Sequence, residues 1–252
     1  MNKENVDIIL PVYNCQDYIF HTIKSIFKQS YKHWRLIIVN DCSTDNTGHI
    51  LNQIFSESLY KKKILIFNNK KNLGQAYSRN RALKNVKAKY VAFIDSDDLW
   101  KENKLRDQIN FMKKNNYEFT YTNYFIFNKN IRKLILVPSF FSYNKFIYDT
   151  SIATSTIIVT KKLIGNVKFN ILRLCEDYAF KCQLLKKVKY ARRLNKTNSL
   201  YRVRRNSLQS NRLKVFFYVW LINKKINKMS FFKNFTSLFF ISLSSIKRYG
   251  LR

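Results

Sequence analysis

Strands and helices alternate along residues 6–98, and this alternation restricts the fold more than any other feature of the chain. Four short aliphatic runs have the length and composition of buried strands: residues 6–10, 36–39, 64–67 and 90–94. Three segments between them carry apolar residues at helical spacing: residues 17–29, 47–60 and 76–85. Because strands that alternate with helices pair in parallel, we expect an α/β fold with a doubly wound, mostly parallel sheet flanked by helices.

Polar clusters follow three of these strands at the point where each strand ends. The clusters are residues 11–14, 40–45 and 95–98. In open α/β sheets, ligands bind beyond the carboxyl ends of the strands. The sequence therefore predicts one binding site to which all three clusters contribute.

Residues 95–98 form the most specific cluster, because Asp95, Asp97 and Asp98 follow a buried strand within four residues. Such carboxylates repel one another unless a cation is present. Mg²⁺ and Mn²⁺ prefer oxygen ligands and often bind one or two carboxylates together with substrate phosphates. We expect Asp95 and Asp97 to contact a metal ion or a nucleotide, and Asp98 to cap a helix that begins near Leu99. A solvated turn is the alternative.

The other two clusters contain an aromatic ring and a carboxylate that together suit a nucleobase. Tyr13 could stack on a base, and Asp41 could accept a hydrogen bond from a ring N–H of uracil or thymine. Each cluster alone is more often an ordinary turn, and Asp45 is expected to cap the next helix. With four glycines, the chain has neither a P-loop nor a G-x-G-x-x-G motif, so any nucleotide must bind by another device.

Four motifs in this order resemble glycosyltransferase family 2. They are P-V-Y-N at 11–14, V-N-D-C-S-T-D at 39–45, N-L-G-Q-A-Y-S-R-N at 72–80 and F-I-D-S-D-D at 93–98. The resemblance is strong over residues 6–110 and extends thinly to about residue 210. It implies the GT-A fold and inverting chemistry. Asn40 stands where many members of the family carry Asp.

The resemblance also implies roles for individual residues. It assigns contacts with the nucleotide-sugar to five of them: Pro11, Tyr13 and Asp41 at the base, Arg79 near the base or diphosphate, and Asp95 near the ribose and metal. It places Mn²⁺ or Mg²⁺ on Asp97, with Asp95 beside it. A bound ion of this kind would stabilise the departing diphosphate as a Lewis acid.

The second half of the chain offers few groups that could act as a general base. All three histidines lie before residue 50, and Glu176 and Asp177 are the only acids after Asp149. The resemblance places the catalytic base at the Asp of such a pair, which is Asp177. The alternative is that both acids stabilise the start of a helix predicted over 177–188. Glu176 could orient an acceptor or support the turn.

Residues 201–204 read Y-R-V-R and resemble a loop that in many relatives reads Y-R-x-H and closes over the diphosphate. Arg204 stands in place of the histidine. Its guanidinium could bind phosphate oxygens in a bidentate manner, whereas a metal contact from this position is lost. A solvated basic loop is an equal alternative.

The rest of the second half is less regular. We expect a strand pair at 119–127 and 131–137 and a further strand at 154–160. The predicted organisation is a GT-A domain over residues 1–210, with a nucleotide-binding half to about 110 and an acceptor half over 111–210. A basic, aromatic helical extension follows over 211–252, with a soft boundary near 205–212.

Positive charge is concentrated in the second half. The formal net charge is +32, and from residue 178 onward the chain contains no acid but 19 Lys and Arg. Such a surface attracts phospholipid, anionic glycan or nucleic acid, although an AT-rich genome would also enrich lysine. The aromatic residues after Leu213 suit either an interfacial helix on anionic lipid or packing on the domain. No apolar run reaches the roughly 20 residues of a membrane span, and no signal-peptide core is present.

We therefore expect a cytoplasmic protein, peripheral on the inner face of the cell membrane, that transfers sugar from a nucleotide-diphosphate sugar, favoured to be a UDP-sugar. The expected acceptor is a hydroxyl of a glycan or glycolipid in bacterial surface polysaccharide or lipopolysaccharide synthesis. The charge also raises the alternative of a nucleic-acid-binding protein, but no such motif is present, and that alternative leaves the acidic cluster unexplained, since these acids would repel phosphate without a metal. A metal-dependent nucleotidyltransferase or phosphohydrolase is the third reading. The order of the four motifs favours the transferase, without a nucleic-acid partner.

Overall fold

The computed structural model describes residues 5–57, 59–204 and 212–249 of the 252-residue chain. The boundary predicted near 205–212 therefore lies, except for residue 212, outside the described residues. Ten strands are described: β1 (Val6–Val12), β2 (Trp34–Asn40), β3 (Ile64–Asn68), β4 (Tyr90–Phe93), β5 (Leu99–Trp100), β6 (Phe119–Phe127), β7 (Arg132–Ile135), β8 (Phe140–Phe141), β9 (Ile158–Thr160) and β10 (Ala191–Arg202). Nine α-helices accompany them: α1 (Ile19–Phe27), α2 (Thr47–Glu57), α3 (Gln75–Leu83), α4 (Lys104–Asn115), α5 (Tyr143–Phe146), α6 (Lys161–Ile164), α7 (Glu176–Leu185), α8 (Arg212–Lys225) and α9 (Phe231–Tyr249).

All described strands belong to one sheet with the order β3-β2-β1-β4-β9-β6-β10-β5, and β7 and β8 pair with β6 and β10. The first four strands of this order are parallel. Beyond β4 the sheet is mixed, because β9 runs antiparallel to both β4 and β6, while β10 is parallel to β6. The α/β class with flanking helices is therefore confirmed, whereas the sheet is mixed rather than mostly parallel, with the parallel pairing concentrated in the first half.

The two faces of the sheet carry separate hydrophobic cores. Successive residues of a strand point to opposite faces, so Ile9 belongs to one core and its neighbours Ile8 and Leu10 to the other. Helices α3 and α7 pack on the first face, whereas α1 and α4 pack on the second. Buried β1 is covered on both sides, which explains why its sequence is a continuous apolar run rather than an alternation.

One charged residue lies within this apolar run, and the sequence pattern does not explain its position there. Asp7 is buried within β1, where Arg35 donates to both of its carboxylate oxygens at 2.8 Å. The backbone N–H groups of Lys87 and Ala88 also donate to Asp7. Burial of this charge is tolerated because every oxygen has donors and a counter-charge.

The helix predicted to begin near Leu99 with Asp98 as its cap is wrong. Leu99 and Trp100 form β5, which pairs antiparallel with Ser199 and Leu200 of β10, and the helix begins only at Lys104. The strand predicted over 154–160 is shorter than expected, since 154–156 form a 3₁₀ turn and only the last three residues are a strand.

The longest strand, β10, was not predicted. Its sequence A-R-R-L-N-K-T-N-S-L-Y-R lacks an apolar alternation, and its register against β6 shifts twice, between Leu194 and Thr197 and again before Ser199. Such irregularities break the two-residue period on which sequence patterns depend.

The C-terminal helices pack on the first core. Val219 and Ile222 of α8 and Ile241 of α9 are buried in it. The hydroxyl of Tyr178 in α7 donates to Oδ1 of Asn223 at 2.7 Å, so α8 is also joined to α7 by a buried hydrogen bond. Among the described helices, none combines the length and apolarity that crossing a membrane requires.

Candidate active site

Asn14 joins the loops that follow β1 and β2. Its backbone is in the left-handed region (φ 43°), which Asn tolerates better than most residues. Its N–H donates to Oγ of Ser43 at 3.1 Å, its Nδ2 donates to Oγ1 of Thr44 at 3.1 Å, and the N–H of Thr44 donates back to its Oδ1 at 2.8 Å. The ends of two neighbouring strands thus form one continuous surface.

Pro11 and Tyr13 lie at the end of β1, within this surface. Pro11 is buried opposite Val39 of β2, so it shapes the surface from beneath. Tyr13 is the first residue after the strand, and its side chain is 43% exposed, which leaves its ring accessible for stacking. Contact of either residue with a base stays a prediction.

Asp41 is buried and connects the second motif to the third. Its Oδ1 accepts hydrogen bonds from the N–H of Leu73 at 2.9 Å and from Nδ2 of Asn69 at 2.6 Å, and its Oδ2 accepts from the N–H of Gly74 at 2.7 Å. Gly74 has φ 86°, a conformation that a residue with a Cβ rarely adopts. Asp41 therefore positions the turn from which α3 begins. Its predicted contact with a base is not tested by these bonds.

Arg79 of α3 joins the two halves of the chain. It is 2% exposed, with Nη2 2.6 Å from Oδ1 of Asp95 and Nη1 2.6 Å from Oε1 of Glu176. Burial disfavours the charged guanidinium, but these two carboxylates outweigh that effect and raise the pKa of Arg79. Burial also raises the pKa of Glu176, against the opposing effect of Arg79. The guanidinium stacks over the ring of Phe169 at 5.2 Å.

Ser155 forms hydrogen bonds with two residues of the acidic cluster. Its Oγ accepts the N–H of Asp95 at 3.0 Å and its O–H donates to Oδ2 of Asp98 at 2.5 Å. The other oxygen of Asp98 accepts the N–H of Arg202 at 2.8 Å. Burial, followed by the charges of Asp97 and Asp95, raises the pKa of Asp98 well above its usual value. Asp98 is thus a buried structural group, which leaves Asp95 and Asp97 for a ligand.

Asp97 forms an ion pair with Arg204, whose Nε lies 2.7 Å from Oδ2. Burial raises the pKa of Asp97, and Arg204 partly offsets this effect. The guanidinium groups of Arg202 and Arg204 lie 4.8 and 5.3 Å from the ring centre of Tyr18. Arg202 and Arg204, at and just after the end of β10, therefore lie against the acidic cluster, and closure of this segment over a diphosphate stays a prediction.

The donor atoms at this position fit a hard divalent ion that also binds a substrate. Asp95 and Asp97 provide carboxylate oxygens, and both are partly exposed, at 21% and 13% of their side chains. Within the described ranges no group of three or more His, Cys, Asp or Glu residues could hold a metal by itself. An ion here would take its remaining ligands from phosphate oxygens and water, which is how Mg²⁺ is commonly bound.

Asp177 lies in the first turn of α7, and its hydrogen bonds join it to other side chains rather than to the N–H groups of that helix. Its Oδ2 accepts from the hydroxyl of Thr154 at 2.9 Å and from Nζ of Lys181 at 2.8 Å. Burial alone would raise the pKa of Asp177, but Lys181, with Arg79 and Thr154, lowers it well below its usual range. The carboxylate is therefore ionised at neutral pH and 22% exposed.

A small pocket of about 50 Å³ brings several of the predicted residues together. It is lined by Gln75, Arg79, Asp95, Thr154, Arg173, Leu174, Cys175, Glu176 and Asp177. Arg79, Asp95 and Asp177 thus share one pocket. The pocket lining does not include Pro11, Tyr13 and Asp41, which lie at the ends of the neighbouring strands β1 and β2. It does not include Asp97 or Arg204 either.

Three residues of the site were missed by sequence reasoning. Lys181 had a signal, because it follows Asp177 by four residues on a predicted helix, the spacing of a helical ion pair. Thr154 and Ser155 had none, since hydroxyl groups in a strand-like segment do not indicate which carboxylate they will contact.

Residues 7–170 match the family model described as glycosyl transferase family 2. TuaG of Bacillus subtilis (strain 168), a glycosyltransferase provisionally assigned to teichuronic acid biosynthesis, is 35% identical over 92% of each chain. The UDP-Glc:α-D-GlcNAc-diphosphoundecaprenol β-1,3-glucosyltransferase WfaP of Escherichia coli is 37% identical over 84% of this chain and 82% of its own.

Solved structures share the fold at lower identity. TarS of S. aureus (residues 1–349) in complex with UDP-GlcNAc superposes with a TM-score of 0.74 at 21% identity, over 96% of this chain and 73% of that one. The match to a longer TarS chain spans 43% of it. The mannosyltransferase PcManGT of Pyrobaculum calidifontis, in complex with GDP-Man and Mn²⁺, superposes with a TM-score of 0.70 at 14% identity, over 100% of this chain and 77% of that one.

Proposed function

The chain belongs to glycosyltransferase family 2, and from that premise we propose that it transfers sugar from a UDP-sugar to a hydroxyl of a lipid-linked glycan, with inversion. One observation carries the proposal: Arg79 contacts both Asp95, at the end of β4, and Glu176, at the start of α7. This contact brings the predicted donor-binding carboxylate into the same pocket as the predicted base.

The donor is proposed to lie across the ends of β1, β2 and β4. The exposed ring of Tyr13 offers a face on which a nucleobase can stack. Pro11 and Asp41 are buried and shape the underside of that surface. Asp95 lies next along the sheet, where it can contact the ribose, and Arg79 keeps its carboxylate in place. A uridine donor is supported by the UDP-GlcNAc bound to the similar fold of TarS and by the UDP-Glc in the name of WfaP.

Asp97, with Asp95 beside it, is proposed to hold Mn²⁺ or Mg²⁺. Such an ion supplies Lewis-acid stabilisation to the departing diphosphate. Arg204, now paired with Asp97, is proposed to turn toward the diphosphate when the donor binds, since a guanidinium can bind phosphate oxygens at two points. A Mn²⁺ complex of the similar fold of PcManGT supports the same metal class.

Asp177 is proposed to be the general base. Lys181 and Thr154 hold its Oδ2, so the carboxylate is ionised and oriented before substrate arrives. It would accept the proton of the acceptor hydroxyl as the oxygen attacks the anomeric carbon and the C–O bond to the diphosphate breaks. Because the attack and the departure occur on opposite faces of that carbon, a single displacement inverts its configuration.

The acceptor and the location are proposed from the relatives. WfaP carries GlcNAc-diphosphoundecaprenol in its name, and TuaG is provisionally assigned to teichuronic acid biosynthesis. We propose a lipid-linked acceptor of this class, in bacterial surface polysaccharide synthesis, and a peripheral position on the inner face of the cell membrane. The catalytic unit is proposed to span residues 1–210, with 211–252 as a helical extension packed on it.

A donor screen tests the proposal. Thermal unfolding is measured with a panel of nucleotide-sugars, with and without Mn²⁺, because a ligand at 100 times its Kd stabilises by about 2.7 kcal/mol. We expect stabilisation by at least one UDP-sugar, dependent on Mn²⁺, and its loss in Asp97→Ala.

A transfer assay tests the general base. Asp177→Asn should keep donor stabilisation, while its rate of transfer to a diphosphoundecaprenol-linked sugar should fall by about 100-fold or more. Asp17→Asn, an exposed change, is the control. Full turnover by either site variant would remove that residue from its role.

A further inference from the structure

Helix α9 exposes large apolar side chains along one face. Six of them are between 48% and 81% exposed: Phe231, Phe232, Phe235, Phe239, Phe240 and Leu243. Residues three or four positions apart lie on the same side of a helix, so these side chains form a continuous stripe. At about 1.5 Å per residue, the stripe from Phe231 to Leu243 extends over roughly 18 Å of the 19-residue helix.

The buried face of the same helix is largely polar. Asn234 and Ser237 are almost fully buried, and of the apolar residues only Ile241 is buried to a similar degree. Nδ2 of Asn234 donates to the carbonyl of Trp220 at 3.1 Å, and the hydroxyl of Ser237 donates to the carbonyl of Ile147 at 2.5 Å. A surface helix in water shows the opposite arrangement, with its apolar face toward the core. The exposed phenyl rings of α9 therefore contribute little to the packing of the domain.

The apolar surface continues onto α8. The rings of Trp220 and Phe231 are 5.4 Å apart, and Phe217 and Leu213 of α8 are 61% and 80% exposed. Together with the stripe on α9 they form what we call the aromatic face. Contiguous apolar surface of this kind marks an interaction site, in contrast to isolated exposed residues.

The charges near the aromatic face select its partner. Lys214, Lys224, Lys225, Lys228 and Lys247 are exposed on or between the same two helices. No acidic residue occurs from residue 178 to the end of the chain. Two copies of this chain would bring like charges together if they associated through this face, which disfavours self-association. An anionic lipid surface is complementary in both respects, since it offers acyl chains to the rings and headgroup charge to the lysines.

We propose that the aromatic face of α8 and α9 is a docking surface for an anionic lipid bilayer, with α9 lying in the plane of the interface. The proposal deepens the proposed function and rests on it in one respect, because a lipid-linked acceptor would lie in the same bilayer. Docking itself requires neither donor, metal nor acceptor. Insertion of the phenyl rings supplies apolar burial, and the lysines add salt-sensitive attraction to the headgroups.

Sedimentation with vesicles tests the docking separately from catalysis. Vesicles of phosphatidylglycerol and phosphatidylcholine, free of sugar-lipids, are compared with phosphatidylcholine alone, without nucleotide or metal. We expect binding to the anionic vesicles that weakens as salt is raised. The double change Phe235→Ser with Phe239→Ser should weaken it by about tenfold or more, because two inserted rings are lost. Leu59→Ser, at a fully exposed apolar residue of the first half, is the control.

Three outcomes would overturn the docking proposal. They are no binding of the wild-type chain to anionic vesicles, equal binding by the double variant, or a dimer in light scattering that the double variant converts to monomer. A thermal melt confirms that the double variant is folded. Should it be unfolded, Phe239→Trp replaces it, and a tryptophan emission that does not shift to the blue with anionic vesicles contradicts insertion. Vesicle binding here, combined with neither donor stabilisation nor transfer in the separate assays of the proposed function, would instead leave docking in place and reject the proposed function.

Discussion

Nη1 of Arg79 lies 2.6 Å from Oε1 of Glu176, although 97 residues separate them in the chain. The arginine belongs to α3 in the proposed nucleotide-binding half, and the glutamate begins α7 in the proposed acceptor half. Because Nη2 of the same guanidinium contacts Asp95, one side chain sets the relative position of carboxylates from both halves. The geometry of the candidate site therefore depends on a planar group with two separate donors.

Replacement of Arg79 by Lys should disturb the site although it preserves the charge. A single ammonium cannot reproduce the two contacts of the guanidinium, so either Asp95 or Glu176 loses its partner. We expect kcat to fall by about 10- to 100-fold, since small displacements of reacting groups have effects of this size. Steady-state kinetics checks this, with the exposed Arg106→Lys as control. Unchanged kcat would show that positive charge alone is sufficient.

Replacement of Lys181 by Met should change the pH dependence of transfer. Because its pKa is lowered, Asp177 stays ionised throughout the pH range in which an ordinary carboxyl group titrates. The ion pair with Lys181 is lost only as the pH falls through the lowered pKa. Without the ammonium, burial remains and the pKa of Asp177 rises. We expect the acid limb of the kcat profile to move to higher pH, with a loss of about tenfold near pH 5 and recovery near pH 8.

Lys181→Arg is the matched variant for this experiment, because it retains a cation four residues after Asp177. It should restore the wild-type profile in part. An unshifted acid limb in Lys181→Met, with normal folding, would show that Asp177 does not titrate as the base.

Replacement of Arg204 by Gln should tighten the binding of Mn²⁺ in the absence of nucleotide. Arg204 now occupies Oδ2 of Asp97 at 2.7 Å and competes with any cation there. Loss of this competitor should strengthen Mn²⁺ binding by about five- to tenfold, while binding of UDP weakens because a phosphate partner is removed. Titration of free Mn²⁺ by electron paramagnetic resonance measures the first effect. Arg192→Gln, at the far end of β10, serves as control, and unchanged Mn²⁺ affinity in Arg204→Gln would contradict competition at Asp97.

Replacement of Ser155 by Ala should destabilise the fold. The change removes the donor to Oδ2 of Asp98 and the acceptor for the N–H of Asp95, and both groups are left without these bonds. A buried polar group without its partner costs about 1–3 kcal/mol, so the free energy of unfolding should fall by this amount. Denaturant titration provides the measurement. Ser56→Ala on the exposed surface of α2 should change it by less than about 0.5 kcal/mol.

Local pattern was sufficient for most of the first half. The aliphatic runs predicted β1 to β4 within about two residues, because a strand covered on both faces is apolar throughout. The local pattern did not predict β5, because two residues are too few to show a period. It failed for β10 as well, because register shifts interrupt the alternation. Asp98 was misjudged for a related reason: a cap depends on neighbouring residues, whereas its actual partners, Ser155 and Arg202, are distant in sequence.

The amino-acid sequence by itself determined the α/β class, the positions of the polar clusters at strand ends, and a short list of carboxylates that could carry chemistry. These properties follow from hydrophobic periodicity and from the chemistry of individual side chains. Only the tertiary structure decided which carboxylate is buried and structural, which is paired with Arg79, Lys181 or Arg204, and which face of α9 remains exposed. The reason is physical: burial and counter-charge are set mostly by residues far apart in the chain, and they alone determine the protonation, orientation and accessibility of each group.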